Sequence, residues 1–367
     1  MKDTFIDKDK NDYFSYLRGI DLQELLLETE NYLLEYRDGL GLPSDITFGT
    51  EIEYEGVLKY GVDCYVKKNL SNWHSDMDCS LSTVGEITSP IMKDNSKYWN
   101  ELENICKYLS DAGADTSHRA GGHVHIGTQA LGCDVEAWRQ FLKLYAMYES
   151  VIFRFGYGDK VNGRERQLRY ASPIADHLYK NLDNINTAKS LATMRDILIF
   201  MKDSKNYPIF MKDSKNYPIP KHTAINFYNV DYNYPDEQYE KNTIEFRSPN
   251  ATTNAIIWQN NINAFTKMLL SARNKNIDED FLDYKLAHDF VPFRENRYEY
   301  NEFWQMNVPL PGNEYTYNVI NLKSVLEFVD LVFDNNLDKV YFLRQYLKDF
   351  QDGYDLKAAT KAKKFTR

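Results

Sequence analysis

The sequence predicts an α+β fold, with one core domain of strands and helices and helical additions at its two ends. Short segments in which apolar and polar residues alternate, typical of strands, recur between residues 46 and 247. Longer segments with apolar residues at helical spacing lie between these strands and after them. Because no linker rich in Pro, Gly or Ser divides the 367 residues, we expect a single core domain.

The first part of the chain is predicted to start with a helix and to continue with strands. Leucine and tyrosine residues at helical spacing predict a helix over 21–36. Alternation predicts a strand over 46–57, a β-like segment over 62–67 and a strand over 84–88, which Pro90 follows closely.

The middle of the chain is predicted to place two capped helices around a third strand segment. Asn95 is a favourable N-cap for a helix that continues to about Ala112, and Asp134 for a long aromatic helix. Between the two helices, residues 117–127 are β-like and contain several glycines. An arginine-rich loop over 156–173 follows the second helix.

The last part of the chain supplies two more strands and then helices. Strands are predicted over 224–228 and 243–247, followed by a helix that Asn254 caps. Amphipathic helices are predicted over 322–333 and 337–350. We therefore expect three regions, an N-terminal helical extension (1–44), the core domain (45–275) and a C-terminal helical region packed on the core (276–367).

A ten-residue repeat interrupts this pattern, since IFMKDSKNYP at 199–208 recurs without change at 209–218. Solenoid repeats have periods of about 20 residues or more and need about three copies, so we do not interpret this one as a repeat fold. We expect a surface loop or hairpin that tolerates insertion and takes no part in the chemistry.

Composition argues against several classes of protein. The net charge of -10 disfavours general binding to nucleic acids, which requires basic surface. Four widely spaced cysteines without a CxxC pair are typical of reduced thiols in the cytoplasm. No apolar run is long enough to span a bilayer and no apolar signal core follows Met1, so we expect a soluble, cytoplasmic protein.

The first predicted strand carries a row of carboxylates. Because successive strand side chains point to opposite faces, Glu51, Glu53 and Glu55 share one face of the sheet. Ile52 and Tyr54 lie on the other face. By itself this pattern fits a solvated edge strand as well as it fits a face turned towards cations.

Two further strands place groups of related chemistry on one face. His123 and His125 are two residues apart beside glycines, so both imidazoles point to the same side. Glu245 and Arg247 share a face in the same way, and Glu86 is a carboxylate on an otherwise apolar strand. Each pattern alone also fits a polar sheet face or a local ion pair.

Together, these carboxylates, imidazoles and the guanidinium predict a site for hard divalent cations and phosphate. Carboxylate oxygens suit Mg²⁺ or Mn²⁺, and an arginine can neutralise charge on a phosphoryl group in transfer. The sequence has no GxxxxGK[ST], GxGxxG, HExxH or GxSxG motif. A cupin-type metal site is disfavoured because Gln129 and Ala130 stand where a glutamate is expected.

The order of four short motifs carries a family resemblance. The motifs are GTEIEYE at 49–55, Asp78 followed by EITSP at 86–90, GGHVH at 121–125 and IEFR at 244–247. In this order they resemble the amidoligases, a family in the carboxylate–amine ligase superfamily of glutamine synthetase and glutamate–cysteine ligase. The resemblance covers roughly residues 45–272.

The resemblance implies a glutamine synthetase-like fold, an antiparallel funnel-shaped sheet with helices packed on the outside. It implies an ATP-dependent ligase that forms an amide through an acyl phosphate, with ATP and Mg²⁺ (or Mn²⁺) as cofactors. Glu55 matches no family role and is expected at the mouth of the site or in solvent. The matching positions imply metal ligands (Glu51, Glu53, Glu86, His123, Glu245), nucleotide contacts (His125, Arg247) and catalytic groups (Glu53, Arg247).

The substrate side has no fixed motif. Small-molecule or peptide carboxylates and amines are the expected partners, and a homo-oligomer is compatible with the sequence. Arginine binds carboxylates through two parallel hydrogen bonds, which makes the arginine-rich loop a candidate for this role. The candidates are Arg164, Arg166, Arg169 and Asn226 for the substrate and Arg119 for the nucleotide.

Two alternatives stay open. His123 and His125 with Glu51 could form the Zn²⁺ or Fe²⁺ site of a hydrolase or oxygenase that ignores ATP. The same sheet could instead be a non-catalytic binding module, with the 28 tyrosines and 20 phenylalanines serving a partner interface.

Overall fold

A computed structural model gives the structure of the chain. The predicted helix over 21–36 and the repeat at 199–218 lie almost entirely outside the residues that it describes. The described residues are 34–70, 72–76, 84–116, 119–160, 163–164, 167–199, 223–233, 242–291, 298–301, 306–309, 317 and 320–347.

The described strands are β1 (Phe48–Glu55), β2 (His74–Asp76), β3 (Val84–Thr88), β4 (Gly122–Gly127), β5 (Ile225–Asn226), β6 (Thr243–Phe246), β7 (Tyr298–Asn301) and β8 (Met306–Pro309). The first six form one antiparallel sheet in the order β2-β3-β1-β4-β6-β5, and β7 pairs with β8. The mixture of this sheet with many helices agrees with the predicted α+β class.

The described helices are α1 (Lys59–Asn69), α2 (Ser96–Asp111), α3 (Val135–Gly156), α4 (Gln167–Tyr170), α5 (Ala175–Lys180), α6 (Leu182–Thr187), α7 (Leu191–Ile199), α8 (Ala255–Arg273), α9 (Glu279–His288), α10 (Leu322–Val332) and α11 (Asn336–Tyr346). The predicted N-caps Asn95, Asp134 and Asn254 are confirmed, since each side chain accepts a hydrogen bond from an amide in the first turn of its helix. None of the helices in the described ranges is long and apolar enough to cross a membrane.

Helices cover the apolar face of the sheet. Phe246 of β6 stacks on Phe265 of α8 with ring centroids 4.2 Å apart, and Phe48 of β1 stacks on Trp99 of α2 at 5.1 Å. Ile52 of β1 is fully buried on this side. Because strand side chains alternate, the polar residues of the same strands lie on the opposite face, which we name the site face.

Helices of the predicted C-terminal region contact the core directly. Phe342 of α11 stacks on Phe155 of α3 with ring centroids 4.0 Å apart. The hydroxyl of Tyr148 on α3 donates a hydrogen bond to the buried Glu327 of α10 at 3.2 Å. The long aromatic helix α3 therefore has α10 and α11 packed against it.

Two predictions of secondary structure are wrong. The C-terminal region, expected to be helical, also contains the paired strands β7 and β8, because residues 298–301 and 306–309 hydrogen-bond to each other as an antiparallel ladder. The segment 62–67, expected to be β-like, lies within helix α1. Its valines and tyrosine favour a strand by propensity, but propensity yields to packing. Val62 and Val66 are the buried residues, and their separation of four residues is one helical turn.

Candidate functional site

The register of the sheet brings the predicted site residues together on the site face. Glu51 of β1 pairs with His123 of β4, and His125 pairs with Glu245 of β6. Directly opposed residues in an antiparallel ladder have Cβ atoms about 4.5–5.5 Å apart. The period of two along each strand therefore aligns carboxylates of β1 and β6 with both imidazoles of β4.

Three of these side chains offer ligand atoms to a common point. One nitrogen of His123 and one oxygen each of Glu51 and Glu245 lie within 4.8 Å of one another. His123 Nδ1 is 2.6 Å from Glu51 Oε2 and 3.5 Å from Glu245 Oε1. One imidazole and two carboxylates are a donor set that fits a divalent cation.

Glu51 lies between the two imidazoles. Its second oxygen, Oε1, is 3.0 Å from His125 Nε2. The other ring nitrogen of His125 is 3.3 Å from the hydroxyl of Thr243, which fixes the orientation of the ring. Both oxygens of Glu51 are therefore held by ring nitrogens from one neighbouring strand.

The charges of the group lower the pKa values of its carboxyls. Burial by itself raises the pKa of Glu51, but hydrogen bonds from His123 and His125 and their charges hold that pKa well below its ordinary range. Burial also opposes ionisation of Glu245, and the charge of Arg247 leads the effects that lower its pKa. We therefore expect both carboxyls to be ionised, the form that binds a cation.

Glu245 is held at both of its oxygens. Arg247 Nη1 donates a hydrogen bond to Oε1, and Asn226 Nδ2 donates to Oε2 at 2.7 Å. Arg247 Nε also donates to the Tyr170 carbonyl at 3.2 Å. The structure thus places Asn226, a predicted substrate residue, as a partner of Glu245.

Glu53 and Glu86 form a second part of the site face. They are directly opposed across the β1–β3 ladder. Glu53 Oε2 accepts the Gly121 amide, and Glu53 Oε1 is 3.7 Å from His123 Nε2. A Cβ at Gly121 would lie 3.2 Å from Glu53 Oε2, a tight contact, so a larger residue there would push against this carboxylate.

The structure describes only part of the arginine-rich loop that was predicted to bind the substrate. Arg164 is buried, and its guanidinium donates to the backbone carbonyls of Arg247 and Pro249. The structure thus places Arg164 against the backbone that follows β6, and its substrate contact stays a prediction. Residue 166 and the side chain of residue 169 lie outside the described residues, and predictions for them stay predictions.

Arg119 and Glu55 form an ion pair at the end of β1. Arg119 Nη2 is 2.6 Å from Glu55 Oε1. The Glu55 side chain is 13% exposed, so this carboxylate is largely covered rather than in open solvent, and the Arg119 side chain is 34% exposed. A contact from Arg119 to a nucleotide requires this pair to open or to share its charge.

The interpretation of the sequence missed two contributors to the site. Thr243 orients His125, and the backbone carbonyl of Tyr170 holds Arg247. Alternation could have indicated Thr243, because it is two residues before Glu245 on the same strand. No pattern in the sequence indicates which carbonyl meets Arg247.

The comparison with protein families matches this part of the chain. The family model described as "Putative amidoligase enzyme" matches residues 45–269, more than half of the chain. The match contains all six strands of the large sheet and every side chain of the site face described above. No curated protein matched the chain. The chain belongs to the amidoligase family.

Proposed function

We propose that the protein is an ATP-dependent carboxylate–amine ligase that forms an amide through an acyl phosphate. One observation carries the proposal, the convergence of Glu51, His123 and Glu245 ligand atoms within 4.8 Å beside Arg247. These four residues lie within residues 45–269, the part of the chain that the amidoligase family model matches. Carboxylates with an arginine are what Mg²⁺-supported phosphoryl transfer requires.

In this proposal Mg²⁺, or Mn²⁺ in its place, is held by Glu51, Glu53, Glu86, His123 and Glu245. The metal supplies charge neutralisation to the phosphates when bound. His125, Arg247 and Arg119 contact the phosphates of ATP. Arg247 suits the γ-phosphate because its guanidinium is held in place by Glu245 and the Tyr170 carbonyl.

The proposed reaction has two steps. A substrate carboxylate oxygen attacks the γ-phosphorus, and the bond from that phosphorus to the bridging oxygen breaks to release ADP. The nitrogen of a neutral amine then attacks the acyl carbon, phosphate leaves with its electron pair, and the proton that the nitrogen loses passes to the released phosphate or to water. Arg247 stabilises the charge on the transferring group, while the rigid strands keep the reactants aligned.

The proposal also assigns the sheet to the glutamine synthetase-like class. The six strands are antiparallel, and helices α2 and α8 cover the face opposite the site. In a funnel-shaped sheet of this class the open inner face binds nucleotide and metal, and the site face here is the corresponding surface.

An ADP-release screen tests the proposed function. Purified protein is incubated with ATP, Mg²⁺ and panels of amino acids, amines and peptides, and pairs that stimulate ADP release are analysed for an amide product. Glu53→Gln and Glu245→Gln should abolish turnover while circular dichroism shows an intact fold. Glu103→Gln, a change on the exposed face of α2, is the matched control. Lack of ATP binding in calorimetry with Mg²⁺ present would refute the ligase.

A second candidate is a metal-dependent hydrolase or oxygenase. The contacts of 2.6 Å and 3.0 Å from Glu51 to His123 and His125 favour it, because two imidazoles and a carboxylate also suit Zn²⁺ or Fe²⁺. Elemental analysis of the purified protein separates the two. Stoichiometric Zn or Fe with no ATP binding supports the hydrolase or oxygenase, whereas ATP binding that depends on Mg²⁺ supports the ligase.

A further inference from the structure

The described part of the arginine-rich loop runs alongside the segment that ends β6. Five hydrogen bonds join the described residues of 163–170 to residues 247–250, and every one involves a backbone atom of one segment and a side chain of the other. The Arg164 side chain donates two and Gln167 donates one, the Arg164 amide donates one to Asn250, and Arg247 donates one to the Tyr170 carbonyl. These hydrogen bonds therefore hold the loop against residues 247–250, the segment that begins with Arg247.

Arg164 makes the strongest part of this connection. Nη2 donates to the Arg247 carbonyl at 3.0 Å and Nη1 donates to the Pro249 carbonyl. The residue is 4% exposed, so these bonds form away from water. Hydrogen bonds from a charged donor are roughly twice as strong as neutral ones. The side chain thus fixes the backbone on both sides of Ser248.

Two further contacts extend the connection to the side chain of Arg247. Gln167 Nε2 donates to the Ser248 carbonyl at 2.8 Å, between the two carbonyls that Arg164 binds. Arg247 Nε donates to the carbonyl of Tyr170, three residues beyond Gln167. The short helix α4 therefore contacts the backbone next to Arg247, at Ser248, and the guanidinium of Arg247.

Arg164 also connects Arg247 to the acidic strand. A Cβ placed on Gly121 would lie 3.1 Å from Arg164 Cζ and 3.2 Å from Glu53 Oε2, so guanidinium and carboxylate flank the same glycine. Burial lowers the pKa of Arg164 to about 10, which leaves the group charged at neutral pH. Its positive charge therefore lies beside Glu53 without reaching the surface.

We propose that Arg164 is a positioning residue that holds Arg247 in register with Glu53, and that it takes no part in substrate binding. The role in turnover rests on the proposed function. The alternative is that Arg164 binds the substrate carboxylate, the role that the loop composition suggests. The two roles predict different kinetic changes, because a positioning residue acts on the chemical step and a substrate ligand acts on substrate affinity.

The kinetic test uses Arg164→Met, Arg164→Lys and Gln167→Met. Arg195→Met on the exposed face of α7 is the matched control. Displacement of a reacting group by 1 Å can cost about 100-fold in rate, so we expect kcat of Arg164→Met to fall on the order of 10- to 100-fold with KM for the carboxylate little changed. Arg164→Lys should recover part of kcat, and Gln167→Met should lower it less.

Hydrogen exchange provides a readout that does not depend on activity. The Arg247 amide donates to the Ala224 carbonyl at 2.8 Å and the Asn250 amide donates to the Gly156 carbonyl at 2.8 Å, so we expect both amides to exchange slowly in the wild-type protein. In Arg164→Met we expect both to exchange at least about tenfold faster. The Glu53 amide, bonded to the Gly121 carbonyl, should keep its rate.

The outcomes are distinguishable. Unchanged exchange at Arg247 and Asn250 in Arg164→Met and in Gln167→Met overturns the positioning role, as does a raised KM for the carboxylate with unchanged kcat. If wild-type protein neither binds nor hydrolyses ATP, the proposed function fails, and the exchange measurement still decides whether Arg164 holds the segment. If Arg164→Met does not fold, Arg164→Lys and Gln167→Met carry the same test.

Discussion

Glu51 and His123 face each other across the β1–β4 ladder, and the carboxylate oxygen Oε2 lies 2.6 Å from the ring nitrogen Nδ1. Both atoms are potential metal ligands, and Glu245 Oε1 is 3.5 Å from the same nitrogen. The pair therefore joins two strands at the point where a cation would be held. We expect a substitution at Glu51 to weaken cation binding more than it destabilises the fold.

Glu51→Gln should weaken binding of Mn²⁺ by at least about tenfold, because the substitution removes a charged oxygen ligand. Isothermal calorimetry with Mn²⁺ measures the affinity. Thermal unfolding gives a second readout, since a ligand that binds only the folded state raises Tm. Mn²⁺ should raise the Tm of wild-type protein more than the Tm of Glu51→Gln at the same Mn²⁺ concentration.

Glu55→Gln is the control for this experiment. It removes a carboxylate from the same strand and the same face, but from the ion pair with Arg119 rather than from the group around His123. It should bind Mn²⁺ as wild type does. Equal affinities for wild type and Glu51→Gln would contradict the proposed cation site.

Gly122→Ala should destabilise the protein by about 1–3 kcal/mol, the usual cost of overpacking. A Cβ at Gly122 would lie 2.6 Å from Trp258 Cη2 and 2.9 Å from the Asn250 carbonyl oxygen. Trp258 is fully buried and donates from its indole to the Thr252 carbonyl at 2.9 Å, so it has little freedom to move.

Urea denaturation measures this loss of unfolding free energy. Gly39→Ala is the matched control, because its nearest neighbour, Asp94 Oδ1, would lie at an ordinary contact distance of 3.5 Å. A free energy of unfolding for Gly122→Ala as high as that of the control would show that β4 and α8 can separate without cost.

Glu149 should make the stability of the protein depend on pH. Burial raises the pKa of this carboxyl to about 8 from its ordinary value of 4.5, although the Ile174 and Ala175 amides donate hydrogen bonds to it. Between pH 4.5 and 8 the folded state therefore binds more protons at this group than the unfolded state. Stability falls as pH rises through this window, by up to about 1.4 kcal/mol per pH unit.

The variant Glu149→Gln removes the titrating group. The unfolding free energy of wild type should therefore fall relative to that of Glu149→Gln as the pH is raised from 5.5 to 7.5. Urea unfolding at the two pH values measures this shift, with Glu103→Gln on the surface of α2 as the control. Parallel pH profiles for wild type and Glu149→Gln would show that Glu149 ionises at the same pH in both states.

Local pattern was sufficient to predict which side chains share the site face. The period of two places Glu51 and Glu53 opposite Ile52, and the same period joins His123 with His125. These relations hold within one strand and need no knowledge of neighbours. Capping chemistry is local in the same sense, which is why the three predicted N-caps agree with the structure.

Relations between distant segments could not be predicted in this way. Arg164 meets the Arg247 and Pro249 carbonyls across 83 and 85 residues of chain, and the composition of its loop does not indicate these contacts. The segment 62–67 has residues that favour strands, but the burial of Val62 and Val66 against the core selects a helix. In both cases tertiary packing determines the observed structure. The pattern of residues along one sequence does not indicate which distant segments come into contact.

A fragment that ends at residue 275 should fail to fold independently. Phe155 of α3 would lose its stacking contact with Phe342 at 4.0 Å, and the fully buried Arg154 would lose the Tyr346 carbonyl, 3.1 Å from its Nε. Truncating a buried aromatic contact costs about 3–5 kcal/mol, a large share of the 5–15 kcal/mol that stabilises a typical domain. Residues 45–275 should therefore bind a hydrophobic dye and lack near-ultraviolet circular dichroism, whereas residues 34–347 keep cooperative unfolding. Cooperative unfolding of the 45–275 fragment, at a free energy close to that of the longer one, would instead identify it as an independent domain.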